Sequence, residues 1–148
     1  MIHRRLRCVA VCSWLGVACL LTGCGRQEVR GAKLKGQLLS NGQPLKALPG
    51  ERVWVTFERI DSGAGKPVIM SAGQMQKDGT FTIEGQVKKG TPPGKYTVTI
   101  HGEYSSGEGE NRFAPLFPEG KSPFVAEVTD QEDQSFAIDV GKKTIAKQ

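Results

Sequence analysis

After residue 30 the chain alternates apolar and polar positions, and no stretch there combines helical period with helical length. Leu34, Gly36 and Leu38 alternate with Lys33, Lys35 and Gln37, the pattern of a strand with one buried face. Val53, Val55 and Phe57 point to one side of a second strand, and Trp54, Thr56 and Glu58 to the other. Its β-branched and aromatic residues suit a pleated, packed surface. Residues 68–75 predict a third, less regular strand, with Gly73 placed for a bulge. Phe81 and Ile83 resume the alternation, and Tyr96, Val98 and Ile100 form the inward set of the next strand. Two strands close the chain, carried by Phe124, Ala126 and Val128 and then by Phe136, Ile138 and Val140.

Turn chemistry separates these runs. Asn41-Gly42 supplies the two positive-φ positions of a tight hairpin turn, and Asp78-Gly79 gives a second hairpin signal. The stretch 102–122 is glycine-rich and acidic at its start and has no clear period. Loops of that length are uncommon in compact domains and tend to be functional or mobile. About seven short strands with turns between them predict an all-β fold, an antiparallel β-sandwich.

The first residues follow another pattern. Arg4, Arg5 and Arg7 precede an apolar run over 8–21, the order of a secretory signal. The run is short for a permanent span, which takes about 20 residues. It ends Leu21-Thr22-Gly23-Cys24, which resembles the lipobox of bacterial lipoproteins. That resemblance implies a diacylglycerol on the Cys24 sulfur, cleavage before Cys24, and acylation of the new N-terminus. An ordinary cleaved signal and a retained anchor are the competing readings. The expected organisation is a signal peptide over 1–23, a tether over 24–32, a sandwich over 33–141 and a basic tail over 142–148.

Composition sharpens this division. The formal charge of +5 and pI of 9.1 owe much to the signal. Three of the twenty basic residues and none of the fifteen acidic ones lie before Cys24, so seventeen against fifteen leaves +2. No basic stripe survives, which argues against nucleic acid as a partner. The four cysteines are Cys8, Cys12, Cys19 and Cys24. Only Cys24 outlasts cleavage, which excludes a thiol enzyme and a Cys-ligated metal site in the folded part. The domain must then rely on its hydrophobic core instead of disulfides.

Three segments carry a family resemblance. They are Lys35-Gly36-Gln37-Leu38 running into Asn41-Gly42-Gln43-Pro44-Leu45, then Asp78-Gly79-Thr80-Phe81-Thr82-Ile83, then Pro92-Pro93-Gly94-Lys95-Tyr96-Thr97-Val98-Thr99-Ile100. Together they resemble carboxypeptidase regulatory-like domains, a transthyretin-like (prealbumin-like) Greek-key sandwich. The resemblance implies a binding or structural module. In metallocarboxypeptidases the zinc site lies in a separate domain, so no catalytic residue is carried over.

Candidate chemistry is sparse. His101 is the single histidine after the signal, against the several ligands a zinc site needs, and no Gly-x-Ser-x-Gly elbow accompanies it. Glu103, Glu108, Glu110 and Asn111 offer oxygens for calcium, but lack the Asp-x-Asp-x-Asp-Gly loop and its closing Glu. Trp54, Tyr104 and Phe117 are candidates for an aromatic ligand platform; the competing reading, favoured by how often a sandwich buries its tryptophan, is that the second sheet or the long loop covers Trp54. Lys88-Lys89 and Lys142-Lys143 read as solvated surface. The expected protein is exported and lipid-anchored to a bacterial membrane through Cys24, on the periplasmic or cell-surface side. It is expected to be non-enzymatic and to use no metal or cofactor, with an envelope protein or glycan as partner. The alternatives are a carbohydrate- or protein-binding adhesion module using Trp54 and the 102–122 loop, and a small hydrolase.

Overall fold

A computed structural model describes residues 31–60, 68–85, 90–107, 109–118 and 121–148. The expected signal peptide, Cys24 and most of the expected tether lie outside these residues, as do Lys88, Lys89 and Glu108. Nine strands follow in order: β1 (Lys33–Ser40), β2 (Gln43–Pro44), β3 (Glu51–Arg59), β4 (Met70–Gln74), β5 (Thr80–Gly85), β6 (Gly94–Tyr104), β7 (Phe124–Val128), β8 (Asp133–Asp139) and β9 (Thr144–Lys147). The one helical element among the described residues is a single 3-10 turn, Ala114–Leu116.

The strands hydrogen-bond in the order β7-β6-β3-β4-β5-β1-β8-β9, and β2 hangs on β1. The path folds over at β5. That strand meets β4 only through Ser71↔Gly85 and Ala72↔Glu84, then pairs β1 from Leu34↔Ile83 to Gln37↔Thr80. One layer is therefore β4-β3-β6-β7 and the other β5-β1-β8-β9. Strands β3, β4 and β5 are hairpin-connected, and β6 returns to lie beside β3, which is the Greek-key order.

The all-β sandwich is as the alternation predicts, with three differences. Strand β1 runs parallel to β8, from Lys33↔Asp133 to Leu39↔Asp139, so the sheet is not purely antiparallel. The expected basic tail instead forms β9, paired with β8 through Ile138↔Ile145 and its neighbours. With the two-residue β2 this raises the count from seven to nine. Gly73 makes no bulge: it pairs in register with Val55. A Cβ there would overlap the Thr82 carbonyl, so glycine allows β4 and β5 to cross closely where the sheet turns over.

The core fills the space between the layers. Val53, Val55, Phe57, Tyr96, Val98, Ile100 and Phe124 come from one layer, and Leu34, Leu38, Phe81, Phe136 and Ile138 from the other, all nearly inaccessible to water. Phe57 sits centrally, with ring centroids 6.3 Å from Tyr96 and 5.6 Å from Phe136. Each such ring contributes on the order of 1.5–3 kcal/mol by leaving water. The buried Tyr96 hydroxyl donates to the Pro92 carbonyl at 2.7 Å, so it is not stranded.

Two buried polar side chains close the ends. Asn41 and Gly42 take φ of 53° and 84°, and the Asp139 carboxylate accepts from both of their amides at 2.9 and 2.7 Å. It also accepts from Gly141 and Lys142, each at 3.0 Å. Gln134, 1% exposed, binds both backbone groups of Thr129 and the Gln131 carbonyl, and so shapes the β7–β8 turn.

Candidate functional site

Strand register decides which side chains share the outer face of the β4-β3-β6-β7 layer. Trp54 lies opposite Gln74 on one side and His101 on the other, and Arg52 opposite Glu103. Directly opposed residues bring their Cβ atoms within about 4.5–5.5 Å. The period of two that buries Val53, Val55 and Phe57 thus turns Trp54 outward, as the pattern predicts. It is half-buried, not covered by a second sheet.

The cluster is held in place by its neighbours. The Trp54 indole N–H donates to Glu103 Oε2 at 3.2 Å. Glu103 is two residues along β6 from the direct partner His101, so the indole leans along the strands. Asn111 Oδ1 accepts from the amides of Gly102 at 2.9 Å and Phe113 at 3.1 Å. That choice of acceptor turns Asn111 Nδ2 toward His101 Nδ1, 3.0 Å away. An amide nitrogen only donates, so Nδ1 accepts and the neutral ring carries its proton on Nε2. The face therefore presents an aromatic surface, a ring N–H donor, a carboxylate acceptor and a carboxamide within three neighbouring strands.

Within the 102–122 segment, residues 109–118 are less a free loop than a strap. Phe113 is buried in the core. Arg112 donates to both oxygens of the Glu51 carboxylate at 2.9 and 2.8 Å, and to the Lys46 carbonyl at 2.9 Å. Its guanidinium carbon also stands 4.8 Å from the Phe113 ring centroid. Asn111 and Arg112 together fix the strap to the end of the sandwich that carries Trp54.

The aromatic platform expected from Trp54, Tyr104 and Phe117 does not assemble. Tyr104 lies at the end of β6 on the inward-pointing parity, with its ring against Gly109. Phe117 packs on buried Phe124 at 6.3 Å between centroids. Trp54 alone of the three stands on the outer face. Beside it, Leu116, Pro118, Lys121, Ser122, Pro123 and Lys143 line a shallow groove of about 260 Å3.

The other sequence candidates fall as follows. His101 is exposed on the face just described. Glu103 and Asn111 both belong to the cluster, where their oxygens take protein donors. Among the described residues no three His, Cys, Asp or Glu side chains gather as a metal site would require. Gln74 was not singled out in the sequence, and its place beside Trp54 follows only from strand order. The anchoring roles of Glu51, Arg112 and Asp139 likewise have no local signal. No family model matches the chain, and no curated protein or solved structure matches it.

Proposed function

We propose that the protein is a lipid-anchored, non-enzymatic binding module of the cell envelope, and that it binds through the outer face around Trp54. The signal order and Leu21-Thr22-Gly23-Cys24 support the anchor. The Greek-key order β6-β3-β4-β5 supports the likeness to carboxypeptidase regulatory-like domains. The observation that carries the binding role is the preset cluster itself: Trp54 oriented by Glu103, and His101 oriented by Asn111.

A glycan is the ligand that this face fits best. The apolar side of a pyranose stacks on an indole, and its hydroxyls need donors and acceptors already in place. Binding costs less when the groups are preordered, because their rotamer freedom is already spent. Hydrolysis fits less well, since the His101 Nδ1 meets a carboxamide rather than the carboxylate that orients a catalytic imidazole.

Trp14 leaves with the signal, so Trp54 is the one tryptophan of the mature chain. Its emission then reports directly on the face. Titration with a panel of envelope glycans should shift or quench it, and Trp54→Ala should abolish binding measured by calorimetry. Unchanged emission and no heat across the panel would refute the glycan reading.

A further inference from the structure

The same outer face changes character toward its other end. Met70 lies opposite Glu58, Glu58 opposite Thr97, and Thr97 opposite Val125. The ladders continue one step further, since the Arg59 amide donates to Ile69 at 3.0 Å and the Ile60 amide to Lys95 at 2.9 Å. Ile60 is thereby set between Val68 and Lys95, and Lys95 lies opposite Glu127. Ile60, Val68, Met70 and Val125 are 52, 53, 41 and 53% exposed. Four of the five large apolar side chains left open to water among the described residues thus share two adjoining rows. Leu48, the fifth, lies at the opposite end, where its carbonyl bonds Glu51.

The chain enters the fold at that apolar end. Ala32 exchanges both backbone bonds with Thr91, at 2.7 and 2.8 Å, and Lys33 bonds Glu132. Thr91 precedes the first residue of β6, Gly94, which pairs Val128. The start of β1, the start of β6 and the end of β3 therefore lie together. From Cys24 to Ala32 there are eight residue steps, which span at most about 28 Å when fully extended.

We propose that Ile60, Val68, Met70 and Val125 form a membrane-docking rim that rests in the interface of the bilayer holding the Cys24 lipid. This inference rests on Cys24 being lipidated. The occupant follows from where the chain outside the structure ends. The tether joins the fold at this end, so the rim lies nearer the lipid surface than the Leu48 end does. The rim then meets lipid as an intramolecular event. The acyl chains on Cys24 already hold the chain at the bilayer, so the rim sets the domain's orientation there and not its attachment. The two rows also carry Glu58, Lys95 and Glu127, two carboxylates against one ammonium, so apolar contact and not attraction to anionic lipid holds the rim. Trp54 lies six residues along β3 from Ile60, roughly 20 Å at 3.3 Å per residue. The docked rim would hold the Trp54 end of this face away from the bilayer and in one orientation.

The test uses the full chain purified from membranes, in which lipidated Cys24 leaves no free thiol. Met70→Cys, Val125→Cys and, as a control, Leu48→Cys are each labelled with an environment-sensitive dye. The labelled proteins are then reconstituted into phosphatidylethanolamine–phosphatidylglycerol vesicles containing a nitroxide-labelled lipid. The expected result is a blue shift and loss of emission at positions 70 and 125, with water-like emission at 48. Emission at 70 and 125 matching that at 48 overturns the rim. So does a blue shift without nitroxide quenching that tracks protein density, which would assign the face to a second copy of this chain. The mass of the N-terminal peptide separates the two ideas: a lipidated Cys24 with an unquenched rim defeats the docking alone, and an unmodified Cys24 defeats both.

Discussion

Removal of the Arg112 guanidinium would strand a charge that the fold has taken out of water. The Glu51 side chain is 0% exposed and Arg112 30% exposed. Among the described residues, Arg112 gives that carboxylate two hydrogen bonds and the Leu48 amide a third at 2.8 Å. Breaking a fully buried pair costs about 3–5 kcal/mol, and an exposed pair is worth about 0.2–1. Arg112 is partly open to solvent, so water enters once it is gone, and Arg112→Ala falls between these limits at about 2–3 kcal/mol. For a domain of this size, where 1 kcal/mol moves the Tm by roughly 4 °C, the expected fall is about 8–12 °C. The double variant Glu51→Met/Arg112→Met removes both charges and should lie within about 1 kcal/mol of the parent. Urea and thermal unfolding, followed by Trp54 emission and far-ultraviolet circular dichroism, measure both. An Arg112→Ala variant within about 0.5 kcal/mol of the parent would refute the reasoning, because that is ordinary surface behaviour. A double variant no more stable than the single would refute it equally.

Three further outcomes follow from the same structure. Burial alone would raise the Asp139 carboxyl, but the amides of Lys142, Asn41, Gly42 and Gly141 outweigh it and hold the group below the ordinary carboxylate value of 3.8. A depressed carboxyl stabilises the fold above its unfolded value and loses that contribution as the pH falls through the folded one. Urea midpoints of the parent and Asp139→Asn should therefore differ most near neutrality and converge below pH 3.8. Asn111→Ala leaves the amides of Gly102 and Phe113 without this acceptor, which should cost about 1–3 kcal/mol; hydrogen exchange at those two amides should quicken, and glycan affinity should fall as His101 loses its orientation. Gly73→Ala forces a methyl against the Thr82 carbonyl and should cost about 1–3 kcal/mol, as overpacking does, whereas Ala72→Ser on the exposed side should shift the urea midpoint little.

The strands were legible because each has one buried face, and burial imposes a period of two. Val53, Val55 and Phe57 against Trp54, Thr56 and Glu58 put Trp54 on the opposite side of its strand, but whether a second sheet or the long loop covers that side is not a local property. Strand order was not legible, since nothing local says that β6 returns to β3 or that β1 lies parallel beside β8. β9 was missed because only Ile145 in it is half-buried, which leaves no alternation to read. Gly73 looked like a bulge because a glycine in a strand signals either a bulge or a close approach, and only the crossing with β5 decides between them. Tyr104 and Phe117 were grouped with Trp54 by chemistry alone. Residues 109–118 keep them apart, and Arg112 ties that stretch to Glu51, some sixty positions earlier in the chain. Asn111 carried a visible oxygen, but its use as a latch depends on two backbone amides that no sequence pattern exposes.

The anchor at Cys24 is the premise that sets the protein's location, the tether's reach and the direction in which the Trp54 face points. Mass spectrometry of the N-terminal peptide from membrane-extracted protein tests it most directly. The peptide should begin at Cys24 and carry a diacylglyceryl group on sulfur with a further acyl chain on the amine. A mature chain that begins elsewhere, or an intact leader with an unmodified Cys24 thiol, would contradict it.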